Sequence, residues 1–394
     1  MIHKVIILGS TGSIGSSSLK SIFKKKNYKI VLLSANKNIN KLLKQCIIYN
    51  VKNAVIEDEN KFKEFKTIFK RKKIKLHSGL KKINLNRLLK YKVSYCINSI
   101  SGIEGLEPTL KFIPLTKKIL IANKESLICA WNIISRVLIK NKTQFIPIDS
   151  EHFSIWKLIK NEKLENLEKI YLTASGGPFL KKTLKQVINT KPKAALNHPN
   201  WKMGKKISID SSTMMNKIFE FIEAKKIFNL TKNQLSIIIQ PSSFIHAIVF
   251  FKGKIIKFLA HDTDMTIPIS NALEIRDYQK KISYSKYINK INSLELQKPT
   301  IKQYPLLSIL DLVPENYSYF ETILITINDH LVYKFLSNKI SYYSIHLNLL
   351  KFIKSPFLRK YYKLKPKNIY DIKRMIEVTK NHINNKIINY EKKI

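Results

Sequence analysis

The sequence predicts an α/β protein with an N-terminal Rossmann-like, doubly wound parallel sheet, an α+β catalytic domain and a small C-terminal helical bundle. Three observations carry this. An apolar strand at Lys4–Leu8 runs into the glycine-rich turn Gly9-Ser-Thr-Gly12-Ser-Ile-Gly15 and then into a helical pattern reaching about Lys24. Short β-like runs alternate with helical stretches through residues 1–148, the pattern of βαβ crossovers in a parallel sheet. From Leu306 onward the pattern is mostly helical.

Taken in order, a second strand is expected at Lys29–Ser34, with further strands at Asn53–Ile56, Val93–Asn98 and Lys118–Ala122. Helical stretches at Ile39–Tyr49 and Leu106–Ile113 lie among them. An apolar strand at Phe145–Ile148 leads into Asp149, after which strands at Lys169–Ala174, Ser236–Gln240 and Ala247–Phe251 mix with long helices. The polar run Arg276–Thr300, rich in Lys, Ser and Asn, reads as a linker. The expected domains are therefore 1–148 (dinucleotide-binding), 149–275 (catalytic, with a lid loop), a 276–300 linker and 301–394 (helical).

Lys plus Arg number 71 against 27 Asp plus Glu, a net charge of +44, which taken alone suggests a polyanionic partner. The lysines are spread over the whole chain beside Ile and Asn, with no arginine-rich stripe or aromatic RNA-binding signature. Compositional bias accounts for that spread, and only non-specific polyanion association at low salt is expected. Cys46, Cys96 and Cys129 are odd in number and widely spaced, which argues against a disulfide framework or a zinc site and fits a reducing compartment. Only three residues separate Met1 from the apolar run Val5–Leu8, and no apolar stretch has membrane-spanning length. A cytoplasmic location is expected.

Gly9, Gly12 and Gly15 stand where a strand turns into a helix, so backbone can approach a pyrophosphate that helix N–H groups face. Their spacing differs from GxGxxG, and a tight turn without a ligand would use the same residues. After the second strand, where NAD-binding chains place an acid on the ribose, this chain reads Ser34-Ala35-Asn36-Lys37-Asn38. Lacking an acid and offering Lys37, the site is expected to favour the 2′-phosphate of NADP. Lys37 is also one of many surface lysines.

Asp149 and Glu151 alternate in what reads as an extended segment, so both carboxylates are expected on one side and able to share a cation. Acid pairs are common on surfaces, but acids are scarce in this chain. Farther on, Ser211, Ser212 and Thr213 suit the start of a helix from Met214, where hydroxyls cap free N–H groups and the positive dipole end attracts a phosphate. Asn216 and Glu220 then lie at i, i+4 on one face with Lys217 beside them. All-oxygen ligation by Asp149, Glu151 and Glu220 favours Mg²⁺ or Mn²⁺ over zinc, with Co²⁺ a further option.

Thr173–Pro178 reads as a strand ending in a loop whose Ser175 hydroxyl could meet an anion, or as a plain turn. Asn197–Gly204 places an imidazole, an indole and a thioether between Pro and Gly, as in loops that close over ligands. Trp201 as a core anchor and His198 as a surface donor are equally compatible with it. His246, in an apolar stretch, reads as structural. Lys124 and Glu125 follow a buried-looking strand, at the sheet end where open α/β folds bind ligands.

Taken together, LGSTGSIG at Leu8–Gly15, ANKES at Ala122–Ser126, DSEH at Asp149–His152, ASGGPF at Ala174–Phe179 and HPNWKMGKKISIDSSTMMNK at His198–Lys217 resemble the 1-deoxy-D-xylulose 5-phosphate reductoisomerase family. The motifs run in family order to about Met265 and more loosely through the C-terminal helices. The resemblance implies a cytoplasmic homodimer of the non-mevalonate isoprenoid precursor pathway, dependent on NADPH and a divalent cation. Its implied reaction rearranges and reduces 1-deoxy-D-xylulose 5-phosphate, a phosphorylated sugar, to 2-C-methyl-D-erythritol 4-phosphate, with no membrane and no specific nucleic acid involved.

Carried over residue by residue, Thr11, Gly12, Ser13 and Ile14 would hold the cofactor pyrophosphate and Asn36, Lys37 and Asn38 its adenosine end. Asn123, Glu125 and Gly204 would be further cofactor contacts. Asp149, Glu151 and Glu220 would bind the metal and meet the substrate around it, with Lys124 and Ser150 on the oxygenated carbons. Ser175, Ser211, Asn216 and Lys217 would hold the phosphate. His198, Trp201 and Met203 would form the lid, and His246 would line the pocket. Glu151 is the candidate for proton transfer, aided by Lys124, with Asp149 and His198 completing the catalytic set. The chain departs from the family pattern at Asn36 (glycine expected), Gln240 (histidine), Thr263 (proline) and Ile275-Arg276 (an aromatic-proline pair). On the residues alone, two other readings stay open. One is a different NADP-dependent oxidoreductase acting on a semialdehyde without metal, and the other is a polyanion-binding protein on an inactive dehydrogenase fold.

Overall fold

The computed structural model describes residues 2–89, 91–201, 203–275, 283–384 and 386–390. They group into two compact units. One takes the chain up to Ser126, Asn132–Phe153 and the segment beginning at Asp264; the other takes Leu127–Trp131, Ser154–Thr263 and the chain from 283 on.

In the first unit, β1 (His3–Leu8), β2 (Tyr28–Ala35), β3 (Asn53–Ile56), β4 (Lys75–Ser78), β5 (Val93–Asn98), β6 (Thr116–Ile121) and β7 (Gln144–Pro147) form one parallel sheet. Its order is β4-β3-β2-β1-β5-β6-β7, and the parallel, doubly wound character is as the alternating pattern predicts. Val5, Ile6, Ile7 and Leu8 are all fully buried, which is why the strand reads as a continuous apolar run rather than an alternating one. Strand order reverses between β1 and β5, so the glycine turn that follows β1 lies at the switch point. β4 was not predicted: it is a four-residue edge strand, KLHS, with too few apolar residues to show a period.

The segment from Asp264 to Ile275 was expected within the catalytic domain, and the structure groups it with the sheet. Its helix Thr266–Ala272 packs on the helix Ser13–Ile22. The Tyr28 hydroxyl donates to the Leu273 carbonyl at 2.5 Å, and Lys118 pairs with Glu274 at 2.7 Å. An apolar helix face shows that something covers it; sequence order does not say which unit does.

In the second unit, β8 (Leu167–Ala174), β9 (Leu235–Ile239), β10 (Ile245–Phe251) and β11 (Ile255–Ala260) form a mixed sheet, ordered β11-β10-β8-β9. Leu172, Ala247 and Val249 from this sheet pack with Ile155, Phe221 and Ala224 into one core cluster. Burying that apolar area is the main force holding the sheet to its helix. β11, also missed, is an edge strand whose Ile255, Ile256 and Phe258 are exposed. The helices Phe320–Leu336, Tyr342–Ile353 and Ile369–Ile383 pack together as the expected C-terminal helical part.

Of the expected linker, residues 276–282 lie outside the described residues; the remainder holds a helix at Tyr284–Asn292 and a bridge from Gln297 to Ile239. Amphipathic spacing beneath the polar composition explains that helix. Cys46, Cys96 and Cys129 are buried, and none of the three is in a disulfide. Among the described residues no helix is long and apolar enough to cross a membrane.

Candidate active site

In the turn after β1, Gly9 has φ +74° and packs so closely on the Ser99 carbonyl that a Cβ would sit 2.8 Å from its oxygen. A Cβ on Gly15 would collide with the Gly9 carbonyl, so the turn closes only with glycine at both places. Gly12 then precedes the helix Ser13–Ile22, and Gly12 and Ser13 are exposed while Thr11 and Ile14 are half-buried. That leaves helix N–H groups facing outward, the arrangement an anion uses.

Sequence reasoning missed the supports of this loop. Ser10 and the buried Gln45 exchange hydrogen bonds, Oγ to Oε1 at 2.8 Å and Nε2 to the Ser10 carbonyl at 2.9 Å. Lys41 Nζ donates to the Thr11 carbonyl at 2.8 Å. The spacing of Gln45 and Lys41 on the helix Ile39–Ile48 gives no signal, because in a sequence a buried glutamine looks the same as one that faces water. Asn36, Lys37 and Asn38 are exposed at the end of β2, and Asn38 caps that helix by accepting from the Lys41 N–H at 3.1 Å.

Asn123 is buried, and its side chain is committed: Oδ1 accepts from the Ser126 N–H at 2.6 Å, and Nδ2 donates to the carbonyls of Ile100 and Gly102. It thereby fixes the start of the helix Lys124–Lys140, on whose first turn Lys124 and Glu125 stand.

Asp149 and Glu151 are not in an extended segment as expected. Asp149 directly precedes the helix Ser150–Ile159, and Glu151 is in its first turn. The reason is local: the Asp149 carboxylate accepts from the Glu151 N–H at 3.3 Å, and acids are favoured at a helix N-terminus. The shared side survives, since the two residues offer oxygens within 4.8 Å of one another. Lys124 pairs with Asp149, and His152 Nδ1 lies 3.3 Å from its other oxygen. Burial pushes the Asp149 carboxyl up, but Lys124 and His152 outweigh it and hold the group well below the usual carboxylate range. The Ser150 hydroxyl donates to Glu151 at 2.6 Å. His152 is a site residue that the sequence marks only by its place directly after Asp149, Ser150 and Glu151.

In the second unit the hydroxyl cluster departs from expectation. Ser211 and Ser212 end the helix Lys205–Ser212, Thr213 follows, and Met214 turns left-handed at φ +68° before the helix Met215–Ile227 begins. The Ser212 hydroxyl donates back to the Ile209 carbonyl at 2.7 Å and that of Thr213 at 3.2 Å, so these side chains close one helix rather than open the next. The spacing beyond is as expected. Asn216 donates to Glu220 at 2.5 Å, and Lys217 forms an ion pair with the same carboxylate, their side chains 6% and 1% exposed. A buried pair of this kind persists only when both charges are satisfied.

Ser175 ends β8, and its Oγ accepts from the Gly177 N–H at 3.1 Å and lies 3.0 Å from His198 Nε2. His198 Nδ1 accepts from the N–H groups of Asn200 and Trp201 at 3.1 and 3.0 Å, so the ring proton is on Nε2 and points at Ser175. Burial pushes His198 down to about 4, so the ring is neutral near pH 7. Trp201 meets His246 edge-on at 6.1 Å, and His246 stacks at 3.8 Å on His261, a residue the sequence did not single out. His246 Nε2 donates to the His261 carbonyl at 3.1 Å. Met203 is half-buried, Gly204 is exposed just before the helix Lys205–Ser212, and Lys202 lies outside the described residues. Among the departures, Gln240 is buried and holds the turn between β9 and β10 by accepting from the Phe244 N–H at 2.7 Å. Ile275 is buried and Arg276 lies outside the described residues.

Three family models match the chain: 1-deoxy-D-xylulose 5-phosphate reductoisomerase at residues 5–131, its C-terminal domain at 145–228, and a DXP reductoisomerase C-terminal domain at 261–382. A 1-deoxy-D-xylulose 5-phosphate reductoisomerase of Pelagibacter ubique is 49% identical over 373 residues, spanning 94% of this chain and 96% of the relative. One from Wolbachia pipientis subsp. Culex pipiens is 36% identical, spanning 87% and 88%. Among solved structures, the Zymomonas mobilis reductoisomerase in complex with NADPH superposes with a TM-score of 0.87 at 26% identity, covering 99% of this chain and all of that one (100%). A DOX-P reductoisomerase in complex with NADPH, fosmidomycin and magnesium gives 0.87 at 28% identity, covering 98% of each.

Proposed function

The chain belongs to the 1-deoxy-D-xylulose 5-phosphate reductoisomerase family, and from that premise we propose how its own residues serve the reaction. It is an oxidoreductase that converts 1-deoxy-D-xylulose 5-phosphate to 2-C-methyl-D-erythritol 4-phosphate with NADPH and a divalent cation. The observation that carries the residue assignment is the acid pair Asp149 and Glu151, with oxygens within 4.8 Å, brought together in a chain otherwise flooded with lysine.

Asp149, Glu151 and Glu220 would hold the cation. The donor set fits, being all carboxylate, which suits Mg²⁺ or Mn²⁺. Lys124 on Asp149 and Lys217 on Glu220 supply positive charge to two of these carboxylates. The cation, when bound, supplies charge stabilisation to the substrate's oxygens, and NADPH supplies the hydride. Lys124 would be left to donate to a substrate oxygen, and Ser150 to keep Glu151 oriented. Glu151 would move the proton. The neutral His198 ring, fixed on Ser175, serves better to place that hydroxyl than to act as an acid.

Ser175, Ser211, Asn216 and Lys217 would bind the phosphate, and Trp201 and Met203 would cover the substrate and exclude water. Thr11, Gly12, Ser13 and Ile14 would receive the pyrophosphate. Asn36, Lys37 and Asn38 would receive the adenosine end. Glu125 and Gly204 would be further contacts, and Asn123 would contribute through its backbone, its side-chain donors being spent. The cysteines, none of them in a disulfide, support a cytoplasmic setting. Exposed Ile255, Ile256 and Phe258 on an edge strand support a homodimer.

Purified chain should oxidise NADPH only when 1-deoxy-D-xylulose 5-phosphate and Mg²⁺ or Mn²⁺ are both present. Equal turnover in the presence of a chelator would contradict the metal assignment.

A further inference from the structure

The C-terminal helical part has no role in the chemistry above, yet it reaches the two segments proposed to hold the phosphate. The Tyr304 hydroxyl donates to the Gly176 carbonyl at 2.8 Å, in the loop directly after Ser175. The Tyr342 hydroxyl donates to the Ser212 carbonyl at 2.8 Å and lies 3.1 Å from the Ser212 hydroxyl, next to Ser211. Both tyrosines are buried, at 3% and 1% exposure, so each hydroxyl is spent on that carbonyl rather than on water.

These carbonyls flank a direct contact between the two segments. Gly177, at φ +69°, packs so closely that a Cβ there would lie 2.8 Å from the Ser211 carbonyl oxygen. The Ser175 loop and the end of the Ser211 helix therefore bear on each other, and a tyrosine holds each by a backbone carbonyl. Burial pushes both hydroxyls up, Tyr304 to about 12, so they remain donors at any working pH. The Ser211 helix is tied at a further point, where Asn328 donates to the buried Asp210 at 2.8 Å.

We propose that Tyr304 and Tyr342 are positioning residues that set the spacing of the Ser175 and Ser211 hydroxyls for the substrate's phosphate, and so make the C-terminal helical part a determinant of phosphate recognition. This rests on the assignment of Ser175 and Ser211 to that phosphate. Phenylalanine in place of either tyrosine keeps the ring packing, including the Phe179 contact at 5.2 Å, and removes only the pin.

The test compares Tyr304→Phe, Tyr342→Phe and the double variant, as full-length enzyme, on 1-deoxy-D-xylulose 5-phosphate and on 1-deoxy-D-xylulose, which lacks the phosphate. Each single variant should raise KM for the phosphorylated substrate roughly three- to tenfold with kcat little changed. kcat/KM for the unphosphorylated sugar and the Kd for NADPH should not move. Parallel losses on both substrates, or no change on either, would overturn the proposal. If the double variant does not fold, each single variant still makes the comparison. A separate failure, in which Ser211→Ala leaves KM for the phosphorylated substrate unchanged, would strike the phosphate assignment itself.

Discussion

The two segments proposed to meet ligands, the glycine turn after β1 and Ser211–Glu220, are built on opposite principles. The glycine turn after β1 presents backbone: its glycines let main chain pass close to main chain, and its exposed residues Gly12 and Ser13 stand where a helix begins. The segment around Ser211–Glu220 presents side chains, and its charges are buried and paired, Lys217 on Glu220 at 6% and 1% exposure. A backbone site depends on shape and tolerates changes in most side chains. A buried side-chain site depends on each partner, because removing one leaves the other uncompensated.

The sharpest way to break this comparison is Glu220→Gln. If the buried carboxylate is a metal ligand, turnover should fall roughly 10³-fold while NADPH affinity stays near that of the parent. A tenfold loss or less would remove Glu220 as a metal ligand, and an equal loss of NADPH binding would mean that the two segments are not independent. Next in size is Gly15→Ala. The added Cβ meets the Gly9 carbonyl, so the turn must open at a cost of about 1–3 kcal/mol, and NADPH Kd should rise roughly tenfold. Titration of NADPH by fluorescence checks this, and an unchanged Kd would show that loop shape is not what the cofactor reads.

The smallest effect concerns His198. His198 is pushed down to about 4 in the folded chain, against 6.5 when exposed. Between those values the unfolded chain binds the extra proton, so stability should rise as pH climbs from about 4 to 6.5 and then level off. With its partial exposure discounted, this contributes about 1–2 kcal/mol. Urea unfolding of the parent and of His198→Gln at pH 4.5 and 7.5 measures it; equal pH dependence in the two would remove His198 as the cause. Asp149, held low, adds a loss in the same direction only below its own unfolded value near 3.8.

The same contrast governs what could be read from sequence. Glycines needed for close approach announce themselves, and β1 and its turn were legible because every residue of Val5–Leu8 is buried. Gln45, which holds the turn, was invisible because nothing marks a polar side chain as buried. In the other segment, Asn216 and Glu220 were legible through helical spacing, but the break at Met214 was not. A left-handed methionine has no sequence signature, so Ser211–Thr213 read as the start of one helix when they close another. The acid pair was found for its rarity and placed in the wrong local structure, since an Asp before a helix and one in a strand share the same letters. β4 and β11 were missed as edge strands, where half the pattern that marks a strand is absent.

The central claim is that this chain carries out the metal-dependent reductoisomerase reaction. Mass spectrometry of the product formed by the purified chain from 1-deoxy-D-xylulose 5-phosphate, NADPH and Mg²⁺ tests it most directly. The expected result is 2-C-methyl-D-erythritol 4-phosphate that disappears when a chelator is added. Unchanged substrate under those conditions, or a reduced product without skeletal rearrangement, would contradict it.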